Sequence, residues 1–188
     1  MVQAHQFPVA GISILQLNAF LLLTSLSALG QEYEIAEHKP MIRGAIMMAN
    51  SHVPTATEGG IEVPIISTWG MDVDYFFHRR WSLALQADVK LQDFEVEHGQ
   101  TILERSFPVA VAGVAHYHAL RHWSFYAGPG IELEKNENFF LLRIGTEYSF
   151  EITENFEIAL NLIYENKDEV YDTWTFGIAF NKKLWDKK

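Results

Sequence analysis

One stretch constrains the fold of this chain more than any other: Arg80 to Glu97, which reads RWSLALQADVKLQDFEVE. Trp81, Leu83, Leu85, Ala87, Val89 and Leu91 form one alternating set, all apolar. Arg80, Ser82, Ala84, Gln86, Asp88, Lys90 and Gln92 form the other, small or polar throughout. A period of two means a β-strand with one apolar and one polar face. So long a regular run exceeds the usual strand of a soluble domain. It suits a tilted strand that crosses a bilayer and projects beyond it.

The opening segment differs from everything after it. Residues 1–30 contain no Asp, Glu, Lys or Arg, and Ile12 to Leu29 is almost continuously apolar. Ala28-Leu29-Gly30 places small residues where signal peptidase reads them, so residues 1–30 are expected to be a secretory signal peptide and 31–188 the mature domain. A retained anchor helix is the alternative for that segment. Beyond Gly30 no run is apolar for long enough to form a transmembrane helix, so a membrane seat requires a closed barrel. The absence of cysteine removes disulfides and thiolate metal sites from consideration. A formal charge of −10 argues against a nucleic-acid partner.

Eight alternating segments follow. Met41–Asn50 sets Ile42, Gly44, Ile46 and Met48 on one face. A strand from about Val63 to Phe77 sets Trp69, Met71, Val73, Tyr75 and Phe77 against Thr68, Gly70, Asp72 and Asp74. The third is the Arg80 stretch. The fourth carries Phe107, Val109, Val111, Gly113, Ala115 and Tyr117 opposite Ala110, Ala112, His116 and His118. The fifth opposes Trp123, Phe125, Ala127, Pro129, Ile131 and Leu133 to Ser124, Tyr126, Gly128, Gly130, Glu132 and Glu134. Phe140–Phe150, Phe156–Glu165 and Thr173–Asn181 complete the set, with Arg143, Glu147, Glu157, Asn161 and Glu165 on the polar side. Tight turns are expected at His78-Arg79, Leu120–His122 and Ile152–Asn155, and longer loops on the other side. That asymmetry is characteristic of transmembrane barrels. YFFHRRWSLAL (75–85) and YHALRHWSFYA (117–127) repeat an aromatic, a basic turn and Trp-Ser. With YSFEITENFEI (148–158) they bring Tyr75, Phe77, Trp81, Tyr117, Trp123, Tyr148 and Phe156 to one rim, an interfacial girdle.

A soluble lipocalin-like carrier would also alternate, with its apolar face inward. Volume decides between the two. An eight-stranded barrel has room inside only for modest side chains, and the apolar set is too bulky to fit there. The expectation is therefore apolar side out and charged side in, with Arg43, Arg80, Lys90 and Arg143 pairing inside with Asp72, Asp74, Asp88, Glu132, Glu147 and Glu157, because buried charges must be paired.

With its signal peptide, eight alternating strands, aromatic rims and the Tyr126–Ile131 segment YAGPGI, the chain resembles small eight-stranded outer-membrane β-barrel proteins of Gram-negative bacteria, of the OmpX and OmpA barrel type. The resemblance covers about residues 40–181. It implies an all-β, antiparallel up-and-down transmembrane barrel in the outer membrane. It further implies a monomer without cofactor, contact with outer-membrane lipids and lipopolysaccharide, and assembly by the barrel-assembly machinery. The last strand, Trp174-x-Phe176-x-Ile178-x-Phe180, looks like the aromatic signal read by that machinery, although Asn181–Lys188 continues past it.

Some barrels of this class modify lipid A, and two candidate sites follow. His122 and Ser124, with Glu132 or Glu134 downstream, are similar to the Ser-His-acid set of the lipid A deacylases. Phe125 stands where that family has Asn, and His122 falls in a turn on the side away from the outer leaflet. His116 and His118, two apart on the polar face, have metal-ligand spacing with Asp72 or Asp74 as further donors. The expectation is that neither site is used: no catalytic, cofactor-binding or metal residues, and a structural or interaction role with a side-chain-filled lumen. A small-solute pore is disfavoured by the charged, narrow lumen.

Overall fold

The computed structural model describes residues 39–57, 60–98, 101–168 and 170–186. The expected signal peptide at 1–30, and its anchor-helix alternative, lie outside the described residues. Twelve strands are present: β1 (Met41–His52), β2 (Thr55–Thr57), β3 (Gly60–Glu62), β4 (Ile65–His78), β5 (Trp81–Lys90), β6 (Phe94–His98), β7 (Thr101–Arg105), β8 (Val109–His118), β9 (Trp123–Leu133), β10 (Phe139–Thr153), β11 (Phe156–Lys167) and β12 (Tyr171–Asp186). Eight of them close into an antiparallel barrel in the order β1-β12-β11-β10-β9-β8-β5-β4. β2–β3 and β6–β7 are separate two-stranded hairpins in the first two loops of the long end. No described helix is long and apolar enough to cross a membrane.

The wall is apolar outside and charged inside. Met71 is 67% exposed, Leu85 60% and Phe176 53%, while Lys90 and Glu132 are fully buried and Arg105 is 1% exposed. This inverts the soluble pattern and removes the lipocalin-like alternative. In hydrocarbon every backbone N–H and C=O must find a partner within the protein. The ladder between β1 and β12, continuous from Met41↔Asp186 to His52↔Trp174 apart from one bulge at Ile42/Arg43, closes the last edge.

Three details differ from the sequence expectation. The Arg80–Glu97 alternation is two strands, because β5 ends at Lys90 and the chain turns at 91–93 before β6. Phe94 and Val96 continue the polar phase of β5 as apolar residues, and both are buried. They leave the wall and join Val53, Ile66, Phe139 and Tyr171 in an apolar cluster at the long end. Arg80 is the second correction. It occupies the β4–β5 turn with Arg79 and is exposed, so it does not pair in the lumen. A turn residue has no pleat to aim it inward. Third, Phe107 precedes its strand rather than lying in it, with a left-handed φ of 45°, and β12 continues as far as Asp186.

Leu85→Arg, in the middle of the outer belt, is expected to destabilise the reconstituted barrel by about 2–4 kcal/mol, read from urea unfolding in lipid vesicles.

Candidate functional site: the charged lumen

Inward positions from all eight strands stack in layers down the barrel. Nearest the long end, under the apolar cluster, lies a dense ionic layer. Arg143 bonds Glu165 through Nε at 2.9 Å and bonds both Asp88 and Glu165 through Nη2. Lys167 Nζ reaches Glu165 at 2.7 Å and Thr173 at 2.8 Å. Lys90 Nζ sits 3.7 Å from both Glu132 and Glu165. Arg105 enters from the β6–β7 hairpin and donates to Glu132 at 2.8 Å and to the Glu137 carbonyl at 2.7 Å, its guanidinium 4.4 Å from the Phe139 ring centroid. The Tyr171 hydroxyl also donates to Glu132. Arg143, Lys90, Lys167 and Arg105 thus face Asp88, Glu132, Glu165 and Glu134, four cations against four carboxylates.

Below this, the mid-lumen is lined by small or apolar side chains, among them Met47, Ala84, Ala112, Val114, Ala159 and Ala179. Tyr126 crosses the space from β9. Its ring lies over Gly145 of the neighbouring strand, where an added Cβ would come within 2.3 Å of it. It also stacks on His116 at 4.5 Å and donates to Asn161 at 3.2 Å. Glycine at 145 is therefore required by a close approach.

A second charged layer lies toward the short end. Arg43 bonds Asp74 at 2.9 Å, Glu147 at 3.1 Å and Glu157 at 3.2 Å. Asn161 and Asn181 each donate to Glu147 at 3.4 Å. This layer is acidic, with one arginine facing three carboxylates, and Asp72 is half-buried on the same face of β4. His116 Nε2 stands 3.7 Å from Asp74 Oδ1.

Arg43, Lys90 and Arg143 pair inside as expected, with Asp74, Asp88, Glu132, Glu147 and Glu157 among their partners. Three further contributors were missed. Lys167 continues the inward odd positions of β11 (157, 159, 161, 163, 165) and was legible by extending the period. Tyr171 likewise begins the inward set of β12. Arg105 belongs to a hairpin outside the wall and had no periodic signal.

The Ser-His-acid candidates do not assemble. The His122 ring lies in the β8–β9 turn, with Nδ1 3.1 Å from the Ser149 carbonyl and the ring beside Tyr148. Ser124 is buried on the inward face. Glu132 and Glu134 lie eight and ten residues farther along the strand, at roughly 3.3 Å per residue, and both are engaged by Arg105. The Ser–His contact that does form is Ser82 Oγ to His118 Nε2 at 3.0 Å. Phe76 stacks on that imidazole at 5.0 Å, and Ser82 is fully buried. A nucleophile must be presented to its substrate, and the Ser82 side chain is buried. The two metal candidates, His116 and His118, stack on one another with ring centroids 6.0 Å apart. Among the described residues, no three His, Cys, Asp or Glu side chains are grouped to hold a metal.

At the short-end rim Arg121 bonds Glu151 at 2.7 and 3.3 Å. The guanidinium holds the Glu151 carboxyl below its usual range. A depressed carboxylate contributes stability above its unfolded pKa of about 4.3, and that contribution is lost as pH falls through the lower folded value.

No protein-family model matches the chain, and no curated protein sequence matches it. Solved structures do match its fold. The attachment invasion locus protein Ail of Yersinia pestis, in complex with the heparin analogue sucrose octasulfate, superposes with a TM-score of 0.50 at 13% identity, covering 79% of this chain and 100% of Ail. The outer-membrane protein AlkL in lipid bilayers gives a TM-score of 0.53 at 8% identity, covering 81% of this chain and 93% of AlkL. The chain has the fold of the small outer-membrane β-barrels, and its apolar belt makes it a transmembrane barrel of that kind.

Three outcomes are expected. Arg143→Met takes from Asp88 its closest partner and leaves Glu165 to Lys167 and Lys90, and costs about 3–5 kcal/mol in equilibrium unfolding. Gly145→Ala displaces Tyr126 and costs about 1–3 kcal/mol, visible also as a changed tyrosine environment in near-ultraviolet circular dichroism. Glu151→Gln flattens a small part of the loss of stability between about pH 5 and pH 3, small because the pair is exposed.

Proposed function

We propose that this outer-membrane barrel is neither an enzyme nor a channel, and that its role in the cell envelope is structural or interactive, carried by its surfaces. The observation that carries this reading is the lumen. Two charged layers, with Tyr126 between them, cross a bore that eight strands make only wide enough for side chains. The apolar cluster of Val53, Ile66, Phe94, Val96, Phe139 and Tyr171 covers the long end. A solute would have to break several buried ion pairs to pass. The separation of His122 from Ser124, and the closure around Ser82, support the non-catalytic part of the reading.

The long end is the side with room for interaction. Its four connecting segments (53–64, 91–108, 134–138 and 168–170) hold ten Asp and Glu against Arg105 and Lys135; Arg105 and Glu134 pair inside the lumen, which leaves nine carboxylates against Lys135. Ail was solved with a polyanion. The charge of the loops here opposes a similar ligand and favours a cationic or neutral partner.

Two measurements test the reading. Purified barrel in a planar bilayer is expected to give no discrete conductance steps at moderate salt, and steady unitary currents would refute the closed lumen. Lipid A extracted from cells expressing the wild type and Ser124→Ala is expected to have the same mass spectrum as the empty-vector control. A deacylated species produced by the wild type alone would restore the hydrolase reading.

A further inference from the structure

The short-end rim carries a charge pattern that neither the lumen nor the girdle accounts for. Around the barrel, the β4–β5 and β8–β9 turns are neighbours because β5 pairs with β8, and the backbone joins them through His118 N–H to the Arg80 carbonyl at 2.9 Å. One turn holds His78, Arg79 and Arg80, the other Arg121 and His122, with no Asp or Glu in either. Arg80 is exposed, and the Arg121 side chain is 69% exposed while bonded to Glu151. The other half of the rim is mixed. Glu154 and Asp186 stand there with Lys182 and Lys183, while Glu151 faces the arc and offsets Arg121. In a chain of net charge −10, this arc is a local cationic patch.

Its depth is set by the aromatics. Trp81 and Trp123 directly follow the two basic turns, both about two-fifths exposed on the outer face. Trp81 packs on Tyr117 at 5.0 Å, and Trp123 meets Tyr148 edge-on at 5.5 Å. Indoles in such a collar lie at headgroup level. The guanidiniums, one or two residues nearer the solvent, then reach the plane of the lipid phosphates. The third turn, at Glu154-Asn155, follows the same hairpin plan without the cations.

Resting on the membrane reading above, we infer that the arc formed by the β4–β5 and β8–β9 turns is a docking surface for the phosphate groups of anionic phospholipids in the periplasmic leaflet. Peptidoglycan also carries anionic groups, but it lies beyond the headgroups. The position of the arginines against the Trp81–Trp123 collar favours lipid. Each arginine at such a surface strengthens attraction to an anionic headgroup by about fivefold.

The test uses the full-length barrel in detergent, titrated with an equal mixture of phosphatidylglycerol and phosphatidylcholine and read as lipid adducts by native mass spectrometry. Wild type is expected to favour phosphatidylglycerol. Arg79→Gln/Arg80→Gln is expected to lose most of that preference, and Lys182→Gln/Lys183→Gln, with the same change of charge on the other half of the rim, to keep it. Arg80→Glu alone gives the same readout if the double variant folds poorly. Equal binding of the two lipids by wild type, or an equal loss in both double variants, would overturn the inference. So would an arc variant that keeps its lipid preference but no longer sediments with purified peptidoglycan sacculi. A gel comparing boiled and unboiled samples of each variant separates these outcomes from failure of the barrel itself, which would show no mobility shift.

Discussion

The ladder between β1 and β12 is the contact on which the rest of this molecule depends. It joins the first and last strands of the wall and leaves no open edge. A sheet in hydrocarbon cannot tolerate an edge, because no water is present to satisfy the exposed amides. Once the ladder closes, the pleat assigns every residue to lipid or lumen. One side of the wall then becomes a belt of Leu, Ile, Phe and Trp. The other is a bore so narrow that any charge in it must be met by another.

The lumen is organised by that requirement. Arg143 and Arg43 each hold more than one carboxylate, and their planar guanidiniums suit such forked contacts. The two layers differ in balance, four cations with four carboxylates toward the long end and Arg43 with three toward the short end. Between them the wall narrows to alanines, and Tyr126 fills the gap by lying over Gly145. The charges outside run the other way: acidic segments at the long end, a basic arc at the short end. The molecule is therefore polar along its axis even though most lumen charges are paired.

Much of the wall was legible in the chain. Alternation in eight segments, short turns on one side, and bulk on one face with charge on the other are local patterns, and each survives in the structure. The inward-facing carboxylates were named almost completely. Where the reading failed, periodicity was absent or misleading. The Arg80 stretch kept its period past the point where the wall ended, because Phe94 and Val96 alternate equally well in a hairpin that folds over the lumen. Arg80 shared the phase of Gln86 and Asp88 but occupied a turn. His122 and Ser124 are two apart in the chain, yet a turn residue and a strand residue do not share a face, whereas Ser82 and His118 meet through the β5–β8 pairing.

By itself the sequence determined the class of fold and its polarity, since both follow from which residues lie at even and odd positions. Only the tertiary structure decided which charges meet. Arg143 finds Asp88 across 55 residues and Arg43 finds Glu157 across 114, distances over which no local pattern carries information. Those partners are set by strand order, by the stagger of the ladder and by the depth to which each side chain reaches into the bore. These are properties of the closed barrel as a whole.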